Sequence, residues 1–142
     1  MKKLLYLSLI SIALFSACSQ SPTKEDLQQL KGYWEIKTVE SQSGKKKTFS
    51  FNESVDYIFI NEDLNGFRTK VKPDLEGKYT KTGTRENLKI DLQNDSIFIH
   101  YNTPQATWKE SLLKLDKNSF TVKNKRGLTY TYQRFNGYLS HE

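Results

Sequence analysis

The hydrophobic pattern divides the chain into an apolar leader and a long region of short alternating segments. Lys2 and Lys3 precede an apolar run from Leu4 to Phe15. A helix that spans a bilayer needs about 20 apolar residues, so this run is too short to cross one. A basic start, a short apolar stretch and small residues after it are typical of a secretory signal. The pattern therefore predicts an export signal over residues 1–17.

A short helix is predicted ahead of the alternating region. Thr23 can cap a helix, with Asp26 at the third position beyond it, and Leu27 and Leu30 are spaced to share one face. Gly32 ends the segment. Because so short a helix is not stable alone, we expect it to pack on the rest of the domain.

From Tyr33 onward the pattern has a period of two, which indicates strands. Trp34, Ile36 and Thr38 are expected to face one way. Residues 56–60 are apolar on both faces. Asn65-Gly66 follows shortly after and favours a tight hairpin, because both residues tolerate a positive φ. The return strand is predicted over residues 67–71.

More strands follow at intervals of roughly 8–12 residues, which argues for an all-β sandwich or barrel. Short connections favour antiparallel neighbours in chain order, and closure of the sheet removes exposed edges. We predict one antiparallel up-and-down β-barrel of about 8–9 strands over residues 24–137, with the short N-terminal helix in front and a tail at 138–142. The remaining strands are predicted at 76–82, 87–92, 96–102, 107–115, 119–123 and 128–135.

Residues Phe15-Ser16-Ala17-Cys18 resemble the lipobox of bacterial lipoproteins. The resemblance implies that Cys18 is acylated, with chains such as palmitate, and begins the mature protein on a tether of residues 18–23. It also implies a cell-envelope location, most simply the outer membrane, with the leaflet left open. Cys18 is the only cysteine, so a disulfide, a thiolate zinc site and a catalytic thiol elsewhere are not available to this chain.

Gly32-Tyr33-Trp34, after the helix and at the start of the first strand, resembles the G-x-W motif of lipocalins. Arg134, on the last predicted strand, resembles the arginine that packs across the tryptophan in that family. The two ends together are similar to the small lipocalin-like lipoproteins of Bacteroidota. The resemblance implies that Trp34 and Arg134 form a structural plug at one end of the barrel rather than a ligand site.

Charge narrows the range of partners only slightly. Removing residues 1–17 takes away Lys2 and Lys3 and lowers the net charge from +6 to +4. The run Lys45-Lys46-Lys47 is interpreted as a solvated loop tip, with anionic head groups as the alternative. Beyond a pI of about 9.3, nothing supports nucleic-acid binding.

Candidate chemistry is sparse, and we expect no enzyme, metal or cofactor. His100 and His141 share no metal-ligand spacing, and no nucleophile elbow or phosphate-binding glycine loop is present in the sequence. Residues 61–66 faintly resemble a calcium loop, but Lys72 stands where that loop needs a bidentate glutamate. Asp95-Ser96-Ile97 resembles a short O-glycosylation sequence of Bacteroidota.

Aromatic residues make up 13% of the chain and most lie in predicted strands. Such side chains could line a pocket for a small amphipathic or hydrophobic ligand. A chain this short favours a filled interior, however, and the sequence leaves the choice between a cup and a filled barrel open. The residues expected to line a pocket are Ile36, Tyr79, Tyr101, Trp108, Tyr130 and Tyr132.

Two functions follow from this pattern. The first is a membrane-anchored, non-catalytic binding protein with a small, partly apolar ligand in the barrel. The second is an envelope interaction module, of the inhibitor or immunity type, whose outer face contacts a protein or a glycan. Aromatic side chains clustered outside the barrel would favour the second.

Overall fold

The computed structural model describes residues 22–139. The predicted signal over 1–17, the predicted lipid anchor Cys18 and His141 lie outside the described residues. A helix, α1 (Lys24–Leu27), and a 3₁₀ turn (Gln28–Leu30) come first. The strands are β1 (Gly32–Glu40), β2 (Lys46–Thr48), β3 (Val55–Ile60), β4 (Asn65–Pro73), β5 (Tyr79–Lys81), β6 (Glu86–Gln93), β7 (Ser96–Asn102), β8 (Thr107–Leu115), β9 (Ser119–Asn124) and β10 (Thr129–Arg134).

The sheet closes on itself as an antiparallel barrel. Going round it, the order is β10, β9, β8, β7, β6, β4, β3 and β1, and β1 pairs with β10 to complete the ring. Two short strands lie outside this ring, with β2 paired to β1 and β5 paired to β4. The eight-strand barrel and its order confirm the predicted all-β, up-and-down architecture.

The N-terminal helix closes one end of the barrel. The Thr23 hydroxyl accepts a hydrogen bond from the amide of Asp26, and the Asp26 carboxylate accepts one from the amide of Thr23. This capping box, which the sequence predicts, satisfies amide groups that the first turn leaves unpaired. Leu27 and Leu30 are fully buried. We call this end the closed end, and the opposite end, towards the loops at 41–54 and 74–85, the open end.

The hairpin between β3 and β4 is present, but the prediction that Asn65-Gly66 forms its turn is wrong. The turn lies at Asn61–Leu64, and Leu64 adopts φ 61°. The Asn61 side chain accepts hydrogen bonds from the amides of Asp63 and Asn65, and the Leu64 side chain is buried in the core. The hydrogen bonds to Asn61 and the burial of Leu64 together outweigh the preference of Asn-Gly for the turn positions.

Other elements depart from the prediction at their ends. A register shift between Ile36 and Thr38 in β1 places Thr38 opposite Thr131 and Val39 opposite Tyr130. Thr38 therefore does not share the inner face with Trp34, because a β-bulge reverses the alternation. Lys46 and Lys47 are exposed, as a loop tip would be, but they belong to β2. β5 is shorter than predicted because the Asp74 carboxylate holds the preceding turn, accepting from the amides of Glu76 and Lys78.

Buried side chains form two clusters on opposite sides of the sheet. The larger cluster fills the barrel around Trp34, Ile58, Ile99 and Val122. The smaller one lies outside, on β1, β3, β4 and the segment after β10, and contains Val55, Val71 and Phe135. Within residues 22–139, the chain has no helix long and apolar enough to cross a membrane.

Candidate functional site

At the closed end, Trp34 and Arg134 form a tightly bound pair. The indole is fully buried, and its Nε1 donates a hydrogen bond of 2.8 Å to the carbonyl of Leu30. The guanidinium lies 4.0 Å from the ring centroid. It also donates to the carbonyls of Gln29, Lys31 and Lys117 at 2.6, 2.9 and 2.7 Å. Burial lowers the pKa of Arg134. These contacts fix the helix to the barrel and leave no room there for a ligand.

Most of the predicted pocket residues do meet inside the barrel, in its open half. Tyr101 lies opposite Trp108, and the two rings stack 5.1 Å apart. Ile36 lies opposite Tyr132 on the neighbouring strand, and Tyr132 stacks on Phe120 at 4.6 Å. Tyr130, also on this inner face, accepts a hydrogen bond from Asn124. The last strand therefore carries its tyrosines inward beside the first strand.

The structure does not bring Tyr79 to this face. Its ring stacks on Tyr33 at 3.9 Å and meets Phe135 edge-on, both in the outer cluster. The reason is that β5 pairs with the last residues of β4, at the open end, where Tyr79 lies opposite Pro73. β5 is not one of the eight strands of the ring.

A buried ion cluster, which the sequence analysis missed, accompanies the aromatic residues. Arg68 projects inward from β4, and its Nε donates to Glu86 at 2.6 Å. Its Nη1 donates to the Tyr101 hydroxyl at 3.3 Å, and the guanidinium lies 4.3 Å from the Tyr101 ring centroid. Burial raises the pKa of Tyr101 and Tyr132, so both phenols stay protonated. The alternation Phe67-Arg68-Thr69 was the available sequence signal for an inward Arg68. In the structure Arg68 lies opposite Ile58, which also faces inward.

Glu110 completes the cluster from β8. Its Oε2 lies 3.8 Å from Arg68 Nη1, is buried, and accepts no hydrogen bond within the described part of the chain. Burial raises the pKa of Glu110, although Arg68 and Tyr101 act in the opposite direction. The interior thus holds one buried carboxylate oxygen, Glu110 Oε2, that accepts no hydrogen bond from the described residues.

A small cavity opens beside this cluster at the open end. Its volume is about 290 Å³. Asp56 is buried there and accepts a hydrogen bond from Lys70 at 2.9 Å. Residues lining the cavity come from β3, β4, β6, β10 and the loop before β6: Asp56, Arg68, Lys70, Gly83, Thr84, Glu86 and Tyr132. The open half of the barrel is therefore charged and aromatic, whereas the closed half is apolar and filled.

A larger cavity, of about 870 Å³, is not the barrel interior. None of its lining residues belongs to β1, β3, β4 or β10, which form the opposite wall, so it is a groove across β6–β9. Most of its lining positions alternate with the inward residues Leu88, Tyr101 and Trp108 and therefore face outward. The outward members are Asn87, Lys89, His100, Asn102, Thr107, Lys109, Ser111, Lys123 and, just after β9, Lys125.

The remaining sequence candidates do not converge. His100 faces outward from β7, 3.9 Å from Asp91. Within residues 22–139 there is no group of three histidine, cysteine or acidic side chains that could hold a metal ion. The residues that resemble a calcium loop form the β3–β4 turn, and Ser96 of the O-glycosylation motif is exposed at the start of β7.

Comparison with known proteins agrees with this architecture. Residues 30–122 match the model of the lipocalin-like domain family. The chain is a member of the lipocalin-like family, whose fold typically serves non-catalytic binding. A crystal structure of a lipocalin-like protein from Bacteroides uniformis is similar at 13% identity and a TM-score of 0.49, with 75% of this chain and 99% of that chain covered. Among curated proteins no match is found.

Proposed function

We propose that this protein is a non-catalytic binding protein that holds a small ligand in the open half of its barrel. The observation that supports the proposal is the inner face there, where the ion cluster of Arg68 contacts Tyr101 and an open cavity beside it is lined by Arg68, Glu86 and Tyr132. Acylated Cys18 would keep the protein at the cell envelope, most simply at the outer membrane.

The geometry limits the chemistry of the ligand. The closed half is filled by apolar side chains, and a cavity of about 290 Å³ lies at the small end of known ligand sites. The Tyr132 ring suits an apolar part of the ligand, and Arg68, Lys70 and the carboxylates suit polar substituents. The ligand is therefore small, partly apolar and equipped with at least one hydrogen-bonding group.

The energetics of the ion cluster support a binding role. Replacing buried ion pairs by apolar residues of similar volume is often neutral or stabilising by about 1–4 kcal/mol. The ion cluster of Arg68, Glu86 and Glu110 thus adds little folding stability beyond what apolar side chains of the same volume would provide. Recognition of a polar ligand gives a physical reason for placing them inside the barrel.

Native mass spectrometry of protein released by protease from the envelope of the source bacterium tests the proposal. We expect a discrete adduct that disappears on denaturation. Thr84 lines the cavity, so Thr84→Phe should abolish the adduct by filling the space. Thr80→Phe, at an exposed position on β5, is the matched control and should retain it. A bare chain at its calculated mass would reject the proposal.

The anchor has its own test. Cells fed an alkyne analogue of palmitate should incorporate it into the protein, and Cys18→Ser should abolish incorporation and release the chain from the membrane fraction. An unlabelled wild-type chain would refute acylation without affecting the ligand proposal.

A second candidate function, contact with another envelope protein, is favoured by an aromatic chain outside the barrel. Ring contacts run without a break from Phe51, which is 68% exposed, to Phe59, which is 42% exposed. The intervening rings are Tyr138, Phe135, Tyr79, Tyr33, Tyr57 and Phe67. A photo-crosslinker at position 59 should capture a partner in intact cells, whereas one at the exposed control Leu113 should not. Equal yields at both positions would reject this surface.

A further inference from the structure

The groove across β6–β9 contains a row of basic side chains. Lys89 lies directly opposite His100, and His100 lies directly opposite Lys109. Asn124, the last residue of β9, lies opposite Glu110, so the antiparallel register places Lys125 beside Lys109. These four residues form what we call the basic ladder: three lie on the neighbouring strands β6, β7 and β8, and Lys125 lies in the turn after β9.

The ladder is an unfavourable arrangement for the protein by itself. Like charges on side chains that lie side by side are destabilising, and Lys109 and Lys125 are two such neighbouring cations in this groove. Among the described residues, few groups offset the positive charge of the ladder. Asp91 lies 3.9 Å from His100, and Lys109 lies 4.4 Å from the centre of the Phe98 ring. Lys123 adds another cation to the groove, and no carboxylate is among the lining residues.

We propose that this groove binds an acidic polysaccharide whose carboxylate or sulfate groups align with the basic ladder. Neighbouring strands are about 4.7–4.9 Å apart, so the lysine cations follow one another along the ladder at one or two strand spacings, with the His100 imidazole between Lys89 and Lys109. A linear chain with regularly repeated anionic groups is complementary to that pattern. The lysine stems supply apolar surface beside the charges, and so does the Phe98 ring, which lies against Lys109; such surface suits the carbon faces of sugar rings.

The position of the groove argues against the head groups of the anchoring membrane as its ligand. This step rests on the proposed acylation of Cys18. Residues 19–22 can span at most about 3.5 Å each, so the bilayer would lie near the closed end, where α1 begins. Lys89, His100 and Lys109 lie on the open-end halves of their strands, so the ladder lies on the half of the barrel farther from that membrane.

Titration calorimetry of the purified mature protein with oligogalacturonate tests the proposal, and the methyl ester of the same oligomer serves as its neutral match. We expect binding of the acid form only, weakening as salt increases. Combined Lys89→Gln, Lys109→Gln and Lys125→Gln should weaken binding at least about tenfold. The control, Lys45→Gln with Lys46→Gln and Lys47→Gln, removes the same charge from exposed positions around β2 and should change binding little.

A melting experiment shows that the ladder variant is folded and gives a second readout. Because it removes like-charge repulsion, this variant should melt no lower than the wild type, and oligogalacturonate should raise the melting temperature of the wild type only. Equal loss of binding in the two triple variants would overturn the proposal, because net charge alone would then explain it. So would equal binding of the methyl ester, or binding to phosphatidylglycerol vesicles without binding to oligogalacturonate.

The outcome is independent of the barrel ligand. An adduct in native mass spectra that persists in the ladder variant, together with absent glycan binding, would overturn only the groove proposal. Glycan binding by a chain that carries no adduct would support the groove and reject the interior site.

Discussion

At the scale of single residues, the guanidinium of Arg134 makes several stabilising contacts at once. It stacks on Trp34 and donates to three carbonyls, two of them in the segment that joins the helix to β1. Arg134→Met should therefore lower the free energy of unfolding by about 2–3 kcal/mol, since the carbonyls lose a charged donor and the indole loses its cover. Urea denaturation measures the change.

Two companion variants make this prediction specific. Arg134→Lys keeps the charge but loses the planar fork, and we expect an intermediate loss. Arg126→Met changes an exposed arginine in the β9–β10 turn and should cost less than about 0.5 kcal/mol. Equal destabilisation at positions 126 and 134 would contradict the role assigned to Arg134.

Glu110 gives a residue-scale prediction about pH. Burial raises its pKa in the folded state above the value in the unfolded chain. The folded state then binds the proton more tightly, so stability from this group is present at low pH and is lost as pH rises from the unfolded pKa through the folded one. Glu110→Gln should remove this loss, and its advantage over the wild type should grow with pH across that interval.

The comparison must be made as a difference between the two proteins. Asp26 and Asp116 have lowered pKa values because of hydrogen bonds in their turns. In the wild type and in the variant alike, these two groups make stability rise with pH. Chemical denaturation at a series of pH values gives the difference curve. A flat difference, or one that falls as pH rises, would be inconsistent with a raised pKa for Glu110.

At the scale of elements, the β3–β4 hairpin shows how a glycine can be required away from the turn. Gly66 lies within β4, opposite Ile60, and a Cβ atom there would lie 1.8 Å from the carbonyl oxygen of Phe59. Gly66→Ala should destabilise the domain by about 2–3 kcal/mol because the strands must separate to admit the methyl group. Thermal or urea unfolding would measure it.

Gly77→Ala is the control for that prediction. Gly77 has φ 81° in an exposed turn and nothing near its missing Cβ, so only backbone strain of about 1 kcal/mol is expected. A loss at position 66 no larger than that at position 77 would show that the close approach to Phe59 is unimportant.

At the scale of the whole molecule, closure between β1 and β10 creates two different environments inside the barrel. Pairing of the first and last barrel strands brings Trp34 to Arg134 at one end and Ile36 to Tyr132 in the open half. The same closure encloses Arg68, Glu86 and Glu110 with the tyrosines, while the outer face keeps the basic ladder and the aromatic chain in contact with solvent. One sheet thus separates an interior candidate site from two exterior ones.

The sequence by itself determined the all-β class, the antiparallel order of the barrel strands and the capped helix. Each depends on local periodicity, turn chemistry or short connections. The face on which a side chain lies was predictable only where the alternation was regular, as in β10. The prediction of the inward face was wrong for Thr38, because the bulge in β1 is set by its partner strand.

Only the tertiary structure decided which distant residues share an environment. Tyr79 lies outside because β5 pairs with the end of β4 beyond the ring, and Arg68 meets Glu110 because closure brings β4 and β8 to one interior. The basic ladder depends on the register of four strands at once. Register between strands follows from the packing of the whole core, which no local pattern contains.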